Sequence, residues 1–175
     1  MALLEAIHVT KFFGNDGGVT PVLKDINLQI GKGEFVSVMG PSGSGKSTLL
    51  HALAGLDRVT LGRVLLNGKD LTRMDEDELA NVRLHHIGFV FQHMHLLRNL
   101  TLLDNIVLPA CLAGGRDRKS IRRRARELMD MTGIARLADH DISHVSGGQL
   151  QRAAICRALI NSPDILFGDE PTGAL

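Results

Sequence analysis

Residues Gly40 to Thr48, reading GPSGSGKST, constrain this chain more than any other stretch. They fit the phosphate-loop pattern G-x-x-x-x-G-K-[ST], with Gly40 and Gly45 framing the loop and Lys46 and Ser47 closing it. Glu34 to Met39 (EFVSVM) precede it, and their apolar and β-branched residues predict a buried strand. Thr48 to Ala54 (TLLHALA) follow it and are rich in helix formers. Strand, glycine loop and helix form the context in which such a loop binds phosphate. Gly43 and Gly45 let the backbone curl until successive N–H groups face one anion, and the helix adds its positive N-terminal end. Lys46 would then reach the β- and γ-phosphates and the Ser47 hydroxyl would ligate magnesium. The competing reading is a plain glycine-serine turn; the full motif and both flanks weigh against it.

The bulk numbers leave room for this chemistry and exclude several others. A chain of 175 residues, 44% hydrophobic and 22% charged, suits one globular domain. Lys and Arg number 20 against 19 acidic residues, so overall charge points to no nucleic-acid partner. Cys111 and Cys156 lack metal-site spacing and are too few for a disulfide framework, which fits a reducing compartment. Met1 to Glu5 (MALLE) do not open a signal peptide, and no apolar run approaches the roughly 20 residues of a membrane helix. Any membrane role must come through a partner.

Residues 4–13 read as a strand, Gly14 to Gly18 as a turn cluster, and Val22 to Ile30 as a second alternating strand, giving an antiparallel β layer. Gly62 to Leu66 form another short strand ended by Asn67-Gly68, and Asp75 to Leu84 a helix. Ile87 to Phe91 form a strand that delivers Gln92. Helical patterns cover Leu102 to Cys111 and Asp117 to Met131. Ser146 is placed to cap a helix running to about Ile160, and residues 163–170 read as a buried strand ending in Asp169 and Glu170.

Magnesium takes hard oxygen ligands, and Asp169, closing an apolar strand, is placed as the Walker-B carboxylate that supports it through water. Glu170 would point to the other side of the strand end, where it could orient and deprotonate an attacking water. Gln92 could hold the same metal or water from a neighbouring strand. Val145 to Gln149 (VSGGQ) begin a second helix at glycines, hence a second potential anion site. A chain binding one nucleotide does not need two such sites, whereas a dimer in which each chain completes the other's pocket does.

GPSGSGKST, Gln92 after FVF, VSGGQLQR at 145–152 and ILFGDEPTGAL at 165–175 resemble, in order and spacing, the nucleotide-binding domain of ATP-binding cassette (ABC) transporters. EFVSVMGPSGSGKSTLL, FQHMHLLRNLTLLDNIVLP and GDEPTGAL resemble more narrowly the group serving lipoprotein release, macrolide export, antimicrobial-peptide export or resistance, and cell division. Val145 stands where most signatures begin with Leu, and Gly168 where Ala is common. The resemblance implies an α/β fold: a P-loop NTPase (RecA-like) core with an N-terminal antiparallel β layer and an inserted helical subdomain, residues 93–146, within a single domain spanning 1–175. It implies that Phe13 stacks on adenine and that Gly40, Ser42, Gly43, Ser44, Gly45, Lys46, Ser47 and Thr48 cradle the phosphates. It places Ser47, Gln92 and Asp169 at magnesium, and gives catalytic parts to Lys46, Gln92 and, as the base, Glu170. Ser146, Gly148 and Gln149 would touch the γ-phosphate held by the opposite subunit. The implied cofactors are ATP and magnesium. The implied partners are a second copy and an integral membrane permease, whose coupling helix docks on about residues 93–112. The implied location is the cytoplasmic face of the membrane, peripheral through the permease.

Family members continue past the position of Leu175 to a switch histidine and further strands, and no histidine here follows Glu170. The missing strand would leave two core strands without partners on their facing edges, so the 175-residue chain is expected to be marginal in stability and to hydrolyse ATP poorly. The basic run Arg116 to Arg126 reads as a solvated helix face with Ile121, Ala125 and Leu128 turned inward, with attraction to a membrane surface as the alternative. His85, His86, His93 and His95 lack accompanying metal ligands, Cys156 reads as a core thiol, and Met129 and Met131 read as packing residues. Three rival functions stay open: a soluble ABC-type ATPase outside transport, a nucleotide-binding module without turnover, and, more distantly, a small-molecule kinase.

Overall fold

The structure is a computed structural model that describes residues 2–15 and 18–170. Contacts divide the chain into two compact units, Met1–Asn81 and Val82–Leu175. The Asp16-Gly17 centre of the expected turn and the PTGAL segment of the last motif lie outside the described residues.

The first unit is built on the expected antiparallel layer. Strands β1 (Ala2–Asn15) and β2 (Gly18–Gly31) pair along their length, and the other edge of β1 takes β3 (Leu61–Leu66), which turns back at Asn67-Gly68 into β4 (Lys69–Asp70). The sheet order is β2-β1-β3-β4. The two long strands are broken by bulges where His8 and Asp25 both adopt φ of 51°. Their side chains meet there, His8 Nδ1 lying 2.6 Å from Asp25 Oδ1. Leu4, Val9, Leu23 and Val64 are buried from this sheet, as are Ala52 and Leu53 of helix α1 (Lys46–Leu53). Each large aliphatic side chain so buried contributes about 1.5–3 kcal/mol.

Glu34 to Met39 do not form the buried strand their composition suggested. They pair with no strand among the described residues, and Phe35 and Met39 are 96% and 87% exposed. Apolar and β-branched residues describe what fits a pleated, half-buried surface; without a neighbouring ladder and a covering face they do not make a strand. The segment is tied only at its start, where Glu34 N–H donates to Gly31 O at 3.3 Å and Gly31 N–H to Glu34 Oε2 at 2.9 Å.

Helix α2 (Glu76–His86) leads into the second unit, in which β5 (Ile87–Val90) and β6 (Ile165–Gly168) form a parallel pair. Strand β6 has β5 on one edge and no partner on the other among the described residues; Leu166 is exposed, so the strand is half-buried where a buried one was expected. Helices α3 (Leu102–Ala113), α4 (Arg118–Met131) and α5 (Gly147–Leu159) enclose one core that includes Leu103, Ile106, Ala125, Met129, Ile134 and Cys156. From Arg118 onward the basic run lies on α4 with Ile121, Ala125 and Leu128 turned inward, as their period predicts, while Arg116 precedes the helix and donates to Ile160 O at 3.4 Å. Asp117 caps this helix through the Ser120 N–H, and that bond holds its carboxyl below the usual range. Met131, expected to pack, is exposed one residue before the cap.

Candidate functional site

In the first unit the glycine loop is shaped by two left-handed residues. Gly43 and Gly45 have φ of 78° and 89°, and Gly45 is the N-cap of α1, so the loop amides curl toward the helix start as an anion nest requires. Gly45 also sits tight against β2: a Cβ there would come 3.1 Å from both Val22 Cγ1 and Val22 O. Lys46 folds back over the loop and donates from Nζ to the carbonyls of Gly40 at 3.0 Å and Pro41 at 2.9 Å. Its ammonium is thus held by acceptors that an arriving anion can replace, and the exposed residues Ser42 to Ser44 leave the cradle open. Ser47 and Thr48 occupy the first turn of α1.

Phe13 belongs to the same unit. It pairs with Thr20 across β1 and β2, two residues from the Val22 that braces Gly45. The strand pairing therefore places an exposed aromatic opposite the strand that carries Val22. Lys11, on the same face of β1, lies with its ammonium 5.1 Å from the Phe13 ring centroid.

In the second unit the parallel pair delivers the other expected residues. Val90 pairs with Gly168 and the Asp169 N–H donates to Val90 O at 2.9 Å, which brings the ends of β5 and β6 level. Gln92 Nε2 then donates to Glu170 Oε2 at 2.7 Å. Asp169 is buried beside them, whereas Glu170 is exposed and held at φ 46°. Such a left-handed non-glycine residue is a strained position of the kind that recurs at active sites.

The VSGGQ segment forms the helix start that Ser146 suggested. Ser146 Oγ accepts from the Gln149 N–H at 3.4 Å and Gln149 Oε1 accepts from the Ser146 N–H at 2.8 Å, a reciprocal capping box. Ser146 and Gly147 are exposed, so this helix N-terminus faces outward. Helix α5 also packs close to β5: a Cβ on Gly88 would come 2.6 Å from Ala158 O.

Three residues with several fixed partners escaped the sequence reading. Arg157, beside the core-facing Ala153 and Cys156 on α5, donates to Met94 O at 2.6 Å and His95 O at 2.8 Å, and its burial lowers the guanidinium pKa. Asn105, fully buried in α3, accepts from Leu97 N–H at 2.7 Å and donates to Leu97 O and Thr101 O at 3.0 Å each. Together they shape the segment after Gln92. Lys11 is the third. A polar residue on the apolar stripe of a helix is the available signal for Asn105; Arg157 and Lys11 look like ordinary surface cations until their partners are seen.

The model of the ABC transporter family matches residues 23–173. The chain belongs to that family. It is 46% identical to the macrolide export ATP-binding/permease protein MacB of Chlorobaculum tepidum over 99% of this chain and 26% of the relative. It is 43% identical to the bacitracin export ATP-binding protein BceA of Halalkalibacterium halodurans over 100% of this chain and 69% of that one. Among solved structures it is similar to the ATP-binding cassette MJ0796 in a dimeric post-hydrolysis state bound to ADP and Pi, with a TM-score of 0.93 and 43% identity over 98% of this chain and 75% of that chain. The chain thus spans about a quarter of the MacB relative's length. The α/β cassette fold is the expected one, and ATP is the ligand of its family. No helix among the described residues is long and apolar enough to cross a membrane.

Proposed function

We propose that this ABC-family chain is a single ATP-binding domain, with a helical subdomain at 93–146, that powers a membrane permease of the export or lipoprotein-release type. The observation that carries the reading is the pair of exposed helix N-termini, one behind the Gly43 and Gly45 nest and one capped by Ser146. The first suits a triphosphate, and the second suits the triphosphate held by another copy. MacB and BceA are both named as export proteins, which supports the transport assignment, and the dimeric MJ0796 structure supports the second copy.

In this reading Lys46 leaves the Gly40 and Pro41 carbonyls for the β- and γ-phosphates, and the loop amides from Gly40 to Thr48 take the remaining oxygens. Phe13 offers its exposed ring to the adenine. Ser47, Gln92 and Asp169 carry the hard oxygens that suit magnesium, which when bound would neutralise phosphate charge. Glu170 must exchange its bond from Gln92 for one to water before it can orient and deprotonate the nucleophile. Ser146, Gly148 and Gln149 close over the γ-phosphate of the opposite chain. Segment 93–112, braced by Arg157 and Asn105, receives the permease at the cytoplasmic face of the membrane.

The test is the Ser146→Arg variant of the intact protein, assayed with its permease. Blocking the helix start removes donors to a developing charge, so hydrolysis should fall by about 100-fold. ATP binding by the separate chain, read by calorimetry, should stay within about twofold, because its own cradle is intact. Parallel loss of binding and hydrolysis would reject the shared site. ATP binding with no phosphate release from the unmodified protein, permease present, would select the rival module without turnover.

A further inference from the structure

Lys11 has three partners. Its Nζ lies 2.6 Å from Asp57 Oδ1, 2.6 Å from Arg58 O and 5.1 Å from the centroid of the Phe13 ring. The side chain is only 12% exposed, whereas Phe13 remains 43% exposed. Residues 11 and 13 share a face of β1 because side chains alternate along a strand. The strand is pinned here a second time, since Phe12 N–H donates to Thr60 Oγ1 at 3.1 Å and Thr60 N–H to Thr10 O at 2.9 Å. A nearly covered cation thus sits over an aromatic ring that is open to solvent, on a strand end fastened to the connection after α1.

This arrangement is more than a surface ion pair requires. A lone exposed phenylalanine can rotate about χ1 and χ2 and bury part of its ring, and ordering it on ligand binding costs side-chain entropy. An ammonium fixed by a carboxylate and a main-chain carbonyl attracts the ring face through its quadrupole and selects the rotamer that covers the charge. The remaining surface is then presented before any ligand arrives. Asp57 neutralises the ammonium, so the pair adds little long-range attraction for phosphate, and its influence is confined to whatever the ring touches.

We infer that Lys11, clamped by Asp57 and the Arg58 carbonyl, is a positioning residue for the nucleotide base: it holds the Phe13 ring as a preset platform for a flat purine. The inference rests on the reading of Phe13 as the base-stacking residue. It separates recognition of the base from recognition of the phosphates, which belongs to the glycine loop.

The experiment compares magnesium-ATP with inorganic tripolyphosphate, which lacks the base, in calorimetric titrations of the intact protein. The Lys11→Met/Asp57→Asn double variant removes the clamp while keeping the local net charge. Its dissociation constant for ATP should rise about threefold to tenfold, and that for tripolyphosphate should stay within about twofold. Lys11→Gln, which keeps a donor toward the Arg58 carbonyl but no charge, should show the same selectivity if the double variant does not fold. Lys11→Arg, which retains a cation, should restore ATP affinity. Phe13→Ala is the control and should weaken ATP selectively. If Phe13→Ala is selective while the Lys11 variants weaken both ligands equally or neither, the positioning role is wrong and the base platform stands. If Phe13→Ala itself weakens both equally, the platform fails and the inference with it.

Discussion

Replacing Asn105 by Leu should loosen the segment that follows Gln92 without emptying the helical core. Leu occupies similar volume, so the cost is chiefly that of the lost side-chain hydrogen bonds: Leu97 N–H is left unpaired, while Leu97 O and Thr101 O keep the main-chain donors Leu100 N–H and Asn105 N–H. The lost bonds are the 2.7 Å bond from Leu97 N–H and the two 3.0 Å bonds to Leu97 O and Thr101 O, with a weaker one to Leu100 O at 3.4 Å. At about 1 kcal/mol net for each of the three shorter bonds, the sum is about 3 kcal/mol. Leu97 is itself exposed, so its main chain regains some water and the expected loss is about 2–3 kcal/mol. With a urea dependence of roughly 1–3 kcal/mol per molar, the unfolding midpoint of the helical unit should fall by about 1–2 M. Hydrogen exchange gives the sharper reading, because the Leu97 amide loses its acceptor directly and should exchange about 30-fold faster or more. A midpoint shift below about 0.3 M, with Leu97 protection unchanged, would refute the claim that Asn105 organises this segment.

Gly45→Ala places a Cβ at φ 89° and 3.1 Å from Val22, and should cost about 1–3 kcal/mol in a thermal melt as well as weakening nucleotide binding. Alkylation of the native protein should modify exposed Cys111 and spare Cys156, which is buried against the Thr132 hydroxyl at 3.3 Å. Burial raises the Cys156 thiol pKa, so as pH climbs through the ordinary thiol range the unfolded chain ionises first. Urea midpoints should therefore decline as pH rises through and beyond the ordinary thiol pKa of about 8.5, and a Cys156→Ala variant should lack that component.

The parts of the fold with their own periodicity were legible in the sequence. Alternation marked β1 and β2, and the spacing of Ile121, Ala125 and Leu128 marked the buried face of α4. Ser146 announced its helix because the capping box is local chemistry, complete within residues 146–149. The segment 34–39 was misread because strand formation depends on a neighbour that composition does not reveal. The same limit hid Arg157 and Lys11, whose partners lie 63 and 46 positions away in the chain. For the candidate site, the glycine pattern marked the left-handed turn at Gly43 and Gly45 before α1, whereas the Gln92–Glu170 bond spans 78 positions and emerged only from the parallel pairing of β5 and β6.

The shared-site dimer is tested most directly by the mass of a Glu170→Gln variant of the intact protein in light scattering. Removing the proposed base should trap bound ATP by slowing hydrolysis, about 100-fold or more, while leaving the Lys46 loop and the Ser146 helix start unaltered. With saturating magnesium-ATP the account predicts a doubling of mass that reverses when the nucleotide is removed. A single-chain mass under those conditions, with ATP shown to be bound, would contradict it.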